Sequence, residues 1–111
     1  MKTEFKIIAD LIEPNTRVLD VGCGDGTLME FLKNNKEINI RGIEISKNNV
    51  QQCIGKGLTV IEGDAEKDLS QFPDESFDFV ILSQTLQAFL NPEKVISELL
   101  RVGKKAIVTI P

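Results

Sequence analysis

Apolar positions change their period along this chain. Over residues 3–13, Phe5, Ile8 and Ile12 recur three and four apart among Glu4, Lys6 and Asp10, the spacing of an amphipathic helix. Pro14 and Asn15 end it. RVLDVG (17–22) then predicts a short buried strand. DGTLMEFLKNNKE (25–37) predicts a helix with Leu28, Phe31 and Leu32 facing in. INIRGIEIS (38–46) predicts a second strand carrying Ile38, Ile40, Ile43 and Ile45. Ser46 is placed to cap a helix over KNNVQQCIGK (47–56), which Gly57 closes.

The third strand is LTVIEGD (58–64), followed by a polar connection, AEKDLSQFPDES (65–76), with room for one helical turn. FDFVILSQ (77–84) is nearly all apolar, as a strand buried on both faces must be. NPEKVISELLRVG (91–103) predicts a helix: Asn91 caps it, Pro92 sits in its first turn, and Gly103 stops it. Its expected apolar face is Val95, Ile96, Leu99 and Leu100. KKAIVTIP (104–111) is the fifth strand. The alternation predicts an α/β domain with a parallel sheet and helices on both faces. Right-handed crossovers put the crevice at the carboxyl ends of the strands, beside the first, where strand order reverses. The 111 residues read as a single domain, 1–111.

Composition narrows the partners. Apolar residues at 41% and charged ones at 27% fit a globular chain. The net charge of −4, with no basic patch, argues against nucleic acid. No apolar run approaches the roughly 20 residues that cross a bilayer. Glu4, Lys6, Asp10 and Glu13 interrupt any signal-peptide core near the start. A cytoplasmic chain is therefore expected, with Cys23 and Cys53 as reduced thiols. Histidine is absent, which removes the usual general base, and no metal site is expected.

The candidate chemistry lies in VLDVGCGDGTL (18–28), where Gly22, Gly24 and Gly26 follow a strand and precede a helix. A dinucleotide loop requires glycine at position 27, and Thr27 stands there. A tight strand-to-helix turn would also select small residues. Glu44 ends the second strand about twenty residues on, where an acidic side chain can accept both hydroxyls of a ribose. Asp64 ends the third strand and can accept from an adenine amino group; Ser83 and Gln84 end the fourth. Each has a plainer reading: a solvated charge, a cap for AEKDL, a polar turn. Together they mark one sheet edge fitted to an adenosyl ligand.

Charge selects among such ligands. A pyrophosphate beside Asp20 and Asp25 would meet like charge, and unit charges ~4 Å apart interact by roughly 4 kcal/mol at intermediate dielectric. S-adenosylmethionine carries an ammonium and a sulfonium that gain from the same carboxylates. It also has one carboxylate that a helix start can hold. This favours S-adenosylmethionine over NAD, and disfavours a dinucleotide oxidoreductase.

VLDVGCGDGTL, Glu44, Gly63–Asp64 and FDFVILSQTLQ resemble the class I S-adenosylmethionine-dependent methyltransferases. Over nearly the whole chain the resemblance narrows to the methionine-biosynthesis MetW family, with ILSQTLQAF the most specific stretch. It implies a Rossmann-like methyltransferase sheet and cofactor contacts from Asp20, Gly22, Gly24, Gly26, Glu44, Asp64 and Ala65. Cys23, Asp25, Ile45 and Ser83 adjoin these and complete the candidate set. Cys23 is read as a packing residue without a catalytic role. The resemblance also implies a partner, homoserine O-acyltransferase.

Members of the family continue past the fifth strand. KAIVTIP is therefore expected to be an open edge, either cut short there, self-associating or covered by a partner. Two functions remain: a methyltransferase, and a non-catalytic module that senses S-adenosylmethionine for the acyltransferase. Methyl transfer asks for positioning of the acceptor rather than for a histidine. Ser83, Gln84 and Gln87 are the groups nearest such an acceptor, and a polar turn explains them as well.

Overall fold

The computed structural model describes residues 3–111. Its helices are α1 (Thr3–Leu11), α2 (Thr27–Asn35), α3 (Lys47–Gly55), α4 (Ala65–Asp68) and α5 (Pro92–Val102). Its strands are β1 (Arg17–Val21), β2 (Asn39–Glu44), β3 (Val60–Glu62), β4 (Phe77–Ser83) and β5 (Gly103–Thr109). They form one parallel sheet in the order β3-β2-β1-β4-β5. Val21 pairs with Ile43 on one side and Leu82 on the other, so β1 is central and strand order reverses there. A crevice opens outside the carboxyl ends at such a reversal.

Two apolar layers fix the sheet. On one face Phe5 and Ile8 of α1, Ile12 just past its end, and Leu28, Met29 and Leu32 of α2 pack over Val18, Ile40, Phe79 and Ile81. On the other, Val95, Leu99 and Val102 of α5 pack over Leu19, Val21, Val80 and Leu82. Neighbouring residues of β1 therefore serve opposite layers, the period-two alternation of a strand buried on both sides. Asp20 interrupts this apolar run, and it too is buried.

Caps start α3 and α5 where the sequence places them. The Ser46 hydroxyl accepts the Asn49 N–H at 3.3 Å, and the Asn91 side chain accepts the Lys94 N–H at 3.3 Å. Three expectations shift. β2 stops at Glu44, and Ile45 lies past the ladder with 67% of its surface exposed. β3 is shorter than the run LTVIEGD. On α5 Val102 replaces Leu100 in the core, because 95, 99 and 102 keep to one helical stripe while Leu100 turns away, 62% exposed. The polar connection forms α4 and a 3-10 turn at Leu69–Gln71, with Ala65 and Leu69 buried beneath it. No helix among the described residues is long and apolar enough to cross a membrane.

Candidate functional site

The glycine loop folds because three of its residues take positive φ and because Glu44 ties it down. Gly26 starts α2 at φ +88°, and a side chain there would strike Leu58 Cδ1 at 2.5 Å. Glu44 Oε1 accepts the Gly24 N–H at 2.8 Å, and its Oε2 accepts the Ser46 N–H at 3.0 Å. A carboxylate has roughly four acceptor sites. The two backbone bonds, with the Asn49 amide at 3.5 Å, leave Glu44 capacity for one further donor.

Two open cavities flank this loop and share Gly22. The first, about 300 Å³, lies between β1, β4 and the start of α2. Asp20, Cys23, Gly24, Asp25 and Ser83 line it, together with Glu4 and Gln84. The second, about 180 Å³, lies over the ends of β2 and β3. Glu44, Ile45, Asp64 and Ala65 line it, with Glu66, Ala88 and Phe89 opposite. Of the candidate cofactor residues, only Gly26 lines neither cavity, and of the three acceptor-side groups only Gln87 does not. Gly26 is packed beneath Leu58 and Cys53, and its role is to turn the chain into α2.

The acidic residues of the first cavity differ in use. Asp20 is 2% exposed, and no described residue donates a hydrogen bond to its carboxylate. Burial, reinforced by the Glu44 charge, lifts its carboxyl to about 7. Asp25 is exposed, and its Oδ1 accepts from Thr27 N at 3.1 Å and Thr27 Oγ1 at 2.6 Å. These bonds hold its carboxyl below the usual range, and they make it first a brace for the start of α2. Glu4 comes from α1, remote in sequence. It accepts from Ser83 Oγ at 3.3 Å and from Gln84 Nε2 at 3.0 Å. Ser83, Gln84 and Gln87 are thereby engaged with protein: Gln87 Nε2 donates to the Gln84 carbonyl at 3.1 Å.

In the second cavity Asp64 acts as a cap, as its plainer reading expected: Oδ1 accepts the Glu66 N–H at 2.9 Å. Asp68 Oδ2 accepts the Asp64 N–H at 2.7 Å and lies so close to Gly63 that a side chain there would meet it at 2.8 Å. Glu4, Glu66, Asp68 and Phe89 escaped the sequence reading. Asp64 ahead of AEKDL was a usable sign of a capped helical turn, and Asp68 closes that turn. Glu4 carried none, since only the tertiary fold brings it to β4. Thr85 Oγ1 is buried without a hydrogen-bond partner, 3.3 Å from where a Gly22 side chain would begin.

The fit to an adenosyl sulfonium ligand can be tested on these groups. The first cavity joins a donor-free buried carboxylate to two further carboxylates, and no described lysine or arginine lines it. Such a wall suits a cation and repels a pyrophosphate. The second has a strand-end carboxylate beside Ile45, Ala65 and Phe89, suited to a ribose and a flat apolar ring. The residues fit the group.

Known proteins agree with the fold. The family model for methionine biosynthesis protein MetW matches residues 2–111. The bifunctional methionine biosynthesis protein MetXA/MetW of Rhodopirellula baltica is 35% identical over 100% of this chain and 19% of its own length. A phosphoethanolamine N-methyltransferase of Triticum aestivum is 32% identical over 75% of this chain and 17% of its own. Among solved structures, a SAM-dependent methyltransferase from Archaeoglobus fulgidus superposes with a TM-score of 0.84 at 25% identity. One from Thermotoga maritima does so with a TM-score of 0.78 at 30% identity. Each match covers 96% of this chain and 49% of the other. The sheet is thus the Rossmann-like sheet of class I methyltransferases, and the chain spans about half the length of these structures.

Proposed function

From the premise that this chain belongs to the MetW family, we propose that it binds S-adenosylmethionine across the two cavities that meet at Gly22. The observation that carries the proposal is Asp20, a buried carboxylate with no described donor, facing a cavity whose other charged lining residues are Glu4 and Asp25. In this reading Asp20 holds the ammonium, and the first turn of α2, reaching the cavity at Thr27 and Leu28, holds the ligand carboxylate. Gly22 joins the two cavities, and Cys23 and Gly24 line the first. Glu44 accepts from the ribose, while Ile45, Asp64, Ala65 and Phe89 enclose the base. Bound there, the ligand supplies a methyl group on a positively charged sulfur. Glu4, Ser83 and Gln84 line the outer side of the first cavity, where an acceptor would be oriented.

The whole protein acts with homoserine O-acyltransferase. The Rhodopirellula baltica protein, whose name joins MetXA and MetW in one polypeptide, supports that pairing. A second reading keeps the binding and drops the transfer: the domain reports S-adenosylmethionine to the acyltransferase. The observation favouring it is that Ser83 and Gln84 are engaged by Glu4 in a chain without histidine or tyrosine. Three experiments test these readings, and the last separates them. A rise in melting temperature with S-adenosylmethionine but not with NAD supports the binding site, and the reverse order refutes it. Retention of the acyltransferase on immobilised protein, with and without S-adenosylmethionine, tests the pairing. Formation of S-adenosylhomocysteine on adding an acceptor would reject the sensing reading.

A further inference from the structure

The second cavity has a wall that does not belong to its sheet edge. Ala88 and Phe89 come from the segment between β4 and α5, and Glu66 stands where that segment meets α4. We propose that Glu66 is a positioning residue, one that holds the Ala88–Phe89 wall over an adenosine-bearing ligand. This rests on the reading of the second cavity as the adenosine site.

Both oxygens of Glu66 are used for this. Oε1 accepts the Leu90 N–H at 3.1 Å, and Oε2 accepts the Asn91 N–H at 2.9 Å. Its own N–H donates to Asp64 Oδ1 at 2.9 Å. One residue therefore links the carboxylate at the end of β3 to the backbone directly behind the opposite wall. Packing holds the side chains just before it, Leu86 and Phe89, against the core layer under α5, while the backbone at Leu90 and Asn91 is tied by Glu66. The Leu90 side chain is 96% exposed and contributes no packing there. The backbone of the preceding turn is closed by Ala88 N–H to the Thr85 carbonyl at 3.0 Å and Phe89 N–H to the Leu86 carbonyl at 3.3 Å. Asn91 caps α5, so the Glu66 charge also lies at the amino end of that helix, where a negative charge is favoured. Without this carboxylate the two N–H groups turn to water, and the wall keeps its core packing but loses its tie to α4, so its distance from Ile45 and Ala65 is less tightly set.

The test uses Glu66→Ala and the conservative Glu66→Gln, which keeps one acceptor oxygen. In the ligand-free protein, amide exchange at Leu90 and Asn91 is expected to accelerate about tenfold or more in Glu66→Ala, with Val80 and Ile81 unchanged and Glu66→Gln between. With ligand, 5′-methylthioadenosine keeps the adenosine, sulfur and methyl of S-adenosylmethionine and lacks its amino-acid chain and positive charge. Both are expected to weaken by the same factor, about tenfold. Unaltered exchange at Leu90 and Asn91 in both variants overturns the proposal, as does a loss confined to S-adenosylmethionine. Failure of the wild-type protein to bind either ligand removes the adenosine reading instead, and the exchange comparison still decides whether Glu66 holds the wall.

Discussion

Glu44 of β2 accepts the backbone N–H of Gly24 at 2.8 Å, so an acidic side chain from the neighbouring strand holds the loop that ends β1. Its contribution thus precedes any ligand. Glu44→Ala should lower the stability of the ligand-free protein by about 1–3 kcal/mol, the cost of a lost hydrogen bond to a buried charge. At about 4–8 °C per kcal/mol for a domain near this size, thermal unfolding resolves it. Glu44→Gln should fall between. An unchanged melting temperature would show that the loop stands without Glu44.

The Asp20 carboxyl, lifted to about 7, ties stability to pH. The folded state binds this proton more tightly than the unfolded state, whose carboxyl titrates near 3.8. The stabilisation is complete below about pH 4, declines from there to about pH 7, and is absent above it. Relative to Asp20→Asn, the wild-type protein should lose stability between pH 4.5 and 7.5 in urea unfolding. Parallel curves for the two proteins would deny the shift.

The elements, their order and the site's sheet edge were legible in the sequence, because period-two and helical apolar spacing are local signals. So were Glu44 and Asp64, placed by strand ends. The cap that Asp64 makes for α4 was legible too, since its donor lies two residues on. What Glu44 does first was not: it braces the Gly24 N–H, an unpaired backbone donor that only the fold brings near. Asp20 and Asp25 read alike in VLDVGCGDGTL, yet one is buried in a strand and the other braces a helix start. Glu4 meets Ser83 and Gln84 through the packing of α1 over the sheet, which no spacing along the chain encodes.

Gly42 of β2 marks a close approach. A side chain there would meet Cys23 Sγ at 2.6 Å and Met29 Cε at 2.8 Å. Gly42→Ala should destabilise by about 1–3 kcal/mol through overpacking and displace Cys23 within the loop. Gly55→Ala, where an added carbon meets nothing, is the control. Urea midpoints for the pair check the difference, and equal midpoints would contradict it.

Cys23 and Cys53 lie with their sulfurs 4.0 Å apart, both buried. Burial pushes both thiols up, Cys23 the further because Asp20 adds its charge. Neither is then a ready thiolate. A disulfide reagent at pH 8 should label the native protein slowly and label both thiols promptly in urea. Two prompt equivalents in the native state would refute this.

Titration calorimetry of S-adenosylmethionine at pH 7.5, on the wild-type protein and on Asp20→Asn, bears most directly on the site. The expected result is saturable binding to the wild-type protein, weakened about tenfold or more by the substitution as the ammonium loses its charged partner. NAD should give no binding heat. No saturable binding of S-adenosylmethionine up to about 1 mM, or equal affinity in Asp20→Asn, would contradict the assignment.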